Sequence, residues 1–273
     1  MRLPIPLPLG GGPDAISPTA HYTGHVWVRN GLSHPELATL EGRVMFDAIE
    51  PAMIASRVVG GPTLERMLLA RHRLIDDLLT RSIDDGRIGQ VIEIACGMSP
   101  RGWRFAERYG DEISYVEADL PDMAARKRRA LEKIGSLSDA HRVVELDALR
   151  DRGRRSLATV ASKLDRERGL AIVTEGLLTY FPDEDVLGMW RRFARELGRF
   201  SSGLYLADLR LRGTQGPLDH GFVALLSAFV QRSVHAHFDG EGAAVEALLD
   251  AGFGDARLHQ PDPRIHIVEA RTG

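Results

Sequence analysis

Apolar residues recur at helical spacing in two stretches near the start of the chain. Leu37, Leu40, Val44, Met45, Ala48 and Ile49 mark the first, over 34–58, with Pro35 suited to its opening turn. Gly60-Gly61-Pro62 interrupts the chain. Leu64, Met67, Leu68, Leu74, Ile75, Leu78 and Leu79 then predict a helix from Thr63 to Ser82. From Gly89 onward the period changes. Short β-rich runs at Val91–Ala95, Ile113–Ala118, Arg142–Leu146, Leu170–Thr174 and Leu204–Ala207 alternate with helical stretches at 101–109, 121–134, 152–168 and 183–198. Such alternation predicts parallel strands joined by right-handed crossovers, with helices on both faces. After a helix over 241–251, Ala256–His259 and Ile265–Glu269 lie only a short loop apart, which predicts an antiparallel hairpin at one edge. The expected fold is α/β: a mostly parallel, seven-stranded Rossmann-like sheet finished by a C-terminal hairpin and preceded by a helical cap.

Composition narrows the function classes. The chain has 273 residues, 44% apolar and 27% charged, with a net charge of −3. These values suit a globular protein and argue against nucleic acid as the main partner. No apolar run reaches the roughly 20 residues of a membrane helix. The single cysteine, Cys96, excludes a disulfide framework within the chain. Residues 1–18 resemble a short signal peptide only superficially, because three prolines interrupt Leu3–Leu9. They read as an extended arm, and a cytoplasmic location is the default expectation. The organisation expected is an arm and helical cap over 1–86, then a nucleotide-binding domain over 87–273 with a cap insertion near 211–240.

The candidate chemistry gathers at strand ends. In a doubly wound sheet the ligand lies beyond the carboxyl ends of the strands, where the strand order reverses. Gly97, in the turn after the first strand, would let backbone approach a ligand. Asp119 ends the next strand, 22 residues later, where a ribose-binding carboxylate belongs. Asp147 follows the third strand and could accept from an adenine amino group. The glycines that wrap a pyrophosphate are absent, so a nucleoside without phosphates, such as S-adenosylmethionine, fits better than a dinucleotide. Taken alone, the spacing suits a plain turn and solvated strand ends equally well.

A parallel sheet closed by a hairpin is also the architecture of class I methyltransferases, and the local sequence resembles one family of them. Residues 90–105, Gln-Val-Ile-Glu-Ile-Ala-Cys-Gly-Met-Ser-Pro-Arg-Gly-Trp-Arg-Phe, resemble the first motif of the leucine carboxyl methyltransferase family, including its polyketide-biosynthesis O-methyltransferase branch. Tyr115–Pro121 with Lys127 resembles the second motif, and Thr174–Phe181 a third. Ala70–Asp77 resembles the family's Arg-containing helix. Ala95 stands where the family usually has glycine, and Ser99-Pro100 where it usually has Asp-Thr. The resemblance implies S-adenosylmethionine as cofactor. It implies that Arg71 pairs with the methionine carboxylate and that Gly97 passes under the cofactor. Asp119, with Glu117 as second choice, would hold the ribose. Asp147 and the Ala148 backbone would read the adenine, and Glu175 would face the methionine amino group or the sulfonium. Glu93 and Arg101, within the first motif, complete the expected cofactor-binding set. On the residues themselves, Arg71 could instead pair with Asp76 or Glu65 along its own helix.

The acceptor is expected to be a small molecule carrying a carboxylate or a hydroxyl. A protein C-terminal carboxylate, or cofactor binding without catalysis, are the alternatives. Tyr180 and His220 are the candidate catalytic residues, against core and surface readings of each. Residues 19–60 and 211–240, which include Trp27 and Phe222–Val230, are expected to form the acceptor wall, ordinary core or a homodimer contact. Arg126–Arg129 reads as a solvated helix face, and Asp183-Glu184-Asp185 as a helix N-terminus. His235-Ala236-His237 lacks an evident third ligand, so no metal is expected.

Overall fold

The computed structural model describes residues 18–40, 42–44, 46–47, 64–212 and 234–273. Residues 1–17 of the arm, residues 48–63 and most of the expected insertion, His220 and Phe222–Val230 included, lie outside the described residues. Strands β1 (Gln90–Ile94), β2 (Ser114–Asp119), β3 (His141–Glu145), β4 (Leu170–Thr174), β5 (Gly203–Leu209), β6 (Asp255–Asp262) and β7 (Ile265–Thr272) form one sheet in the order β3-β2-β1-β4-β5-β7-β6. The first five run parallel, and β7 is antiparallel to both β5 and β6. The order reverses between β1 and β4, which places a ligand crevice beyond their carboxyl ends.

The helices are α1 (Pro18–Arg29), α2 (Leu64–Asp84), α3 (Arg101–Tyr109), α4 (Pro121–Ile134), α5 (Leu157–Ala161), α6 (Asp183–Leu197) and α7 (Glu241–Asp250). Alternation along each strand divides the core. Ile92, Ile94, Ile172 and Tyr205 pack with Trp190 and Phe193 of α6 on one face. Val91, Tyr115, Ala171, Val173, Leu204 and Leu206 pack with Ile75 and Leu79 of α2 and Phe105 of α3 on the other. Glu93, Glu117, Glu175 and Asp208 follow the alternation of this second face.

Several expectations shift. Helix α1 falls within residues expected as cap, with acceptor wall, ordinary core and dimer contact as the readings and no helix delimited. Tyr22 and Val26, one turn apart, join Phe46, Leu64, Met67, Leu68 and Ile265 in a core cluster, and Trp27 is buried against His72. The helix expected over 152–168 contracts to Leu157–Ala161. Gly153 adopts φ +97°, and Ser156 caps the helix by accepting from the Thr159 amide, so the charged residues before it stay outside. The basic run Arg126–Arg129 is not uniformly solvated. Lys127 is fully buried, and Arg128 donates to the Val143 carbonyl. Residues 35–37 form a single tight turn rather than the start of an α-helix.

Candidate cofactor site at the strand tips

The β1 tip is a tight loop. Ala95 sits at φ +55°, Gly97 at φ +50°, and the Cys96 amide donates to the Ala118 carbonyl. A side chain at Gly97 would meet open space, whereas Ala95 carries its methyl in a backbone region that disfavours one. Cys96 is buried, and burial raises its thiol well above the usual range, which leaves it inert. The Ser99 hydroxyl accepts from the Arg101 amide at the start of α3.

Asp119 lies beside this loop. It accepts from the Gly97 amide at 2.7 Å and the Leu120 amide at 2.8 Å. Burial raises its pKa to about 6, despite the opposing pull of those two amides. The carboxylate therefore joins the β1 and β2 tips at the reversal point.

Across the crevice, Arg71 on α2 reaches the β4 and β5 tips. Its Nε donates to Glu175 Oε1 and its Nη1 to Asp208 Oδ2, both at 2.9 Å. The second Asp208 oxygen accepts from the Gly176 amide at 2.6 Å. Gly176 is at φ +73°, and a Cβ there would stand 3.4 Å from Arg71 Nη2. Among the described residues that Nη2 has no hydrogen-bond partner, and the side chain is 11% exposed. Arg71 thus pairs across the sheet. The acids on its own helix are taken elsewhere: Asp76 by Arg101 and Arg104, and Glu65 by Asn30.

The remaining expected residues lie beneath or beside this row. Arg101 is fully buried and donates to Asp76, Glu93 and Glu175, each at 2.6 Å. Glu93 also accepts from the Tyr115 hydroxyl at 2.8 Å, and burial raises its pKa with only partial offset from Arg101. Burial acts the same way on Glu175, but His72, Arg71 and Arg101 outweigh it and hold that carboxyl well below the usual range. Glu117 is fully buried, 2.5 Å from Lys127 and 2.7 Å from His141, and both partners lower its pKa against the push of burial. Lys127 in turn donates to the Ser99 carbonyl and so anchors the β1 loop. A Cβ on Gly102 would overlap the Glu117 carboxylate, so α3 can lie over that acid only because residue 102 is glycine. Glu93, Arg101 and Glu117 therefore form a buried charged layer under the tips, with their polar atoms directed at one another's partners. Glu175 is 3% exposed, with its oxygens turned to Arg71, His72 and Arg101.

Asp147 binds the Leu149 amide at 3.0 Å and Arg150 at 3.1 Å beyond β3, with Ala148 packed beside it. Tyr180, in the turn Leu178–Tyr180, is half-buried and close enough to Arg71 to contribute to its raised pKa. His237 is buried between Asp183, at 2.7 Å, and the Leu178 carbonyl, at 3.2 Å. A cavity of about 500 Å³ lies away from these tips, between the end of α2 and the β6–β7 hairpin, and its Arg271, Glu269 and His259 neutralise one another.

Sequence reasoning missed Asp208 and His72. Asp208 had a signal: it follows the run Leu204–Ala207 as Asp119 and Asp147 follow theirs. His72 had none beyond its neighbour Arg71.

Residues 32–194, more than half of the chain, match the family described as leucine carboxyl methyltransferase. No curated protein sequence matches. Among solved structures, a DUF574 family protein from Streptomyces avermitilis is 16% identical with a TM-score of 0.61, over 93% of this chain and 97% of that one. PigF with SAH is 20% identical with a TM-score of 0.50, over 70% of this chain. An O-methyltransferase, so described, from Nostoc punctiforme is 12% identical with a TM-score of 0.53, over 81% of this chain and 67% of that one. The chain spans only 53% of PigF. At these identities the likeness is one of fold, that of the class I methyltransferases.

Proposed function

The chain belongs to the leucine carboxyl methyltransferase family, and we propose that it is an S-adenosylmethionine-dependent O-methyltransferase acting on a small-molecule carboxylate or hydroxyl. The observation that supports this best is the row at the strand tips: Asp119, the open floor at Gly97, and, beside Gly176, the Arg71 Nη2 that has no partner among the described residues. These residues suit an adenosyl amino acid. A carboxylate such as Asp119 can accept from both ribose hydroxyls. The outer edge of Arg71 can take the α-carboxylate, a pairing that favours a guanidinium. Asp147 and the Ala148 backbone would take the adenine.

The cofactor supplies a methyl group on a sulfonium, a leaving group that needs no proton. The chain's own contribution is to hold the acceptor oxygen in line and near that methyl, which is worth several kcal/mol. A carboxylate acceptor is ionised at neutral pH and needs no base. A phenol, with a pKa near 10, needs one within hydrogen-bond reach. Tyr180 is the described residue suited to orient an acceptor, and His220 is the candidate base. A protein C-terminal carboxylate is the second reading, favoured by the family's name alone.

Titration calorimetry with S-adenosylhomocysteine is expected to give one site. Labelled-methyl transfer to organic acids, phenols and peptides with free carboxyl termini then separates the acceptor classes. No detectable homocysteine-cofactor binding, or methylation confined to the peptides, would reject the small-molecule reading.

A further inference from the structure

Among the described residues, only one end of the Arg71 guanidinium is left for a ligand, and something must fix which end. The guanidinium is tied at Nε to Glu175 and at Nη1 to Asp208, which leaves Nη2 as its open end. Glu175 alone would not hold this pose. A guanidinium prefers a forked, two-bond grip on a single carboxylate, and pivoting about Nε would draw a second nitrogen onto Glu175. Asp208 opposes that pivot from the neighbouring strand. Its side chain is 6% exposed, and its other oxygen is locked on the Gly176 amide. The same carboxylate therefore fixes both the Arg71 fork and the left-handed turn over which Nη2 projects. The alternation of β5 puts Asp208 on the α2 side with Leu204 and Leu206, so it can reach a residue 137 positions away.

We propose that Asp208 is a positioning residue that aims the free edge of Arg71 at the carboxylate of the cofactor's amino-acid moiety. This rests on the cofactor reading above. Asp208 does not touch the ligand; it acts through Arg71. Asp208→Asn keeps an oxygen for the Gly176 amide and removes the charge that holds Nη1. Its effect should therefore appear only with ligands that carry the carboxylate.

The test is calorimetric titration of the full chain with S-adenosylhomocysteine and with 5′-methylthioadenosine, which lacks the amino-acid moiety. Asp208→Asn should weaken the first about tenfold and leave the second within about twofold. In an Arg71→Ala background, Asp208→Asn should cause no further loss. Equal weakening of both ligands, no weakening of either, or full additivity with Arg71→Ala would overturn the proposal. Wild-type chain that binds neither ligand overturns the cofactor reading as well. Wild-type chain that binds S-adenosylhomocysteine while Asp208→Asn is indistinguishable from it overturns the positioning role alone. Should Asp208→Asn not fold, nitrogen-detected NMR of the wild-type Arg71 guanidinium decides: separate, slowly exchanging Nη signals are expected, and one rapidly averaged signal refutes the bridge.

Discussion

If Asp119 holds the ribose, as proposed, cofactor binding should carry a proton signature. The Asp119 carboxyl is raised from 3.8 to about 6 because burial outweighs the Gly97 and Leu120 amides. Ribose hydroxyls donating to it would favour the ionised form, so binding near pH 6 should expel a proton. With a free-state pKa of about 6, ~0.8 proton should leave per ligand at pH 5.5 and ~0.1 at pH 7. Affinity for S-adenosylhomocysteine should then fall up to about tenfold per pH unit below 6. The sign for stability is opposite to that of an ion-paired acid. A raised folded-state pKa means the native chain binds the extra proton between about 4 and 6. This group's contribution to stability is therefore greatest at low pH and declines as pH rises through that window, by up to ~3 kcal/mol. Calorimetry in buffers of different ionisation enthalpy measures the released proton directly, and Asp119→Asn should abolish it. Proton release unchanged in that variant, or a flat affinity profile between pH 5 and 7, would refute the assignment of Asp119 to the ribose.

Three further outcomes concern the scaffold. Ala95→Gly should relieve the methyl at φ +55° and stabilise the chain by about 1 kcal/mol, read as a rise of a few degrees in melting temperature. Lys127→Met strands Glu117 with His141 alone and should cost about 3–5 kcal/mol in denaturant unfolding; adding Glu117→Gln should recover part of it. Gly102→Ala forces a methyl into the Glu117 carboxylate and should cost about 1–3 kcal/mol by the same measurement.

The fold was legible because its signal is local. The apolar run at 170–174 and the helical stretch at 101–109 carry their own period and end where the structure ends them. Gly97 and Asp119 were legible by spacing, since one crossover fixes how far apart neighbouring strand tips fall in sequence. Arg71 was accessible only through family resemblance, because its partners lie 104 and 137 residues away. The ion pairing of Glu93 and Glu117 was hidden for a related reason. A carboxylate inside a strand reads as a ligand or a solvated end unless its buried cations are known, and Arg101 and Lys127 come from separate helices. Asp208 carried the same signal as Asp119, an acid just past an expected strand end, but its partner Arg71 lies 137 residues away, and β5 continues through it to Leu209.

The charged layer beneath the tips also constrains how the chain comes into being. Arg71, His72 and Arg101 are synthesised well before Glu175, and Asp208 follows later still. At about 5–20 residues per second, Arg71 waits roughly 7–27 s for its last partner. During that interval Arg101 can already pair with Asp76 and Glu93, whereas Arg71 gains Glu175 only after β4 and Asp208 only after β5. Until then the Arg71 guanidinium is left to solvent. The two-sided grip on Arg71 is accordingly complete only once β5 has emerged, and any truncation before β5 removes the Asp208 side of it.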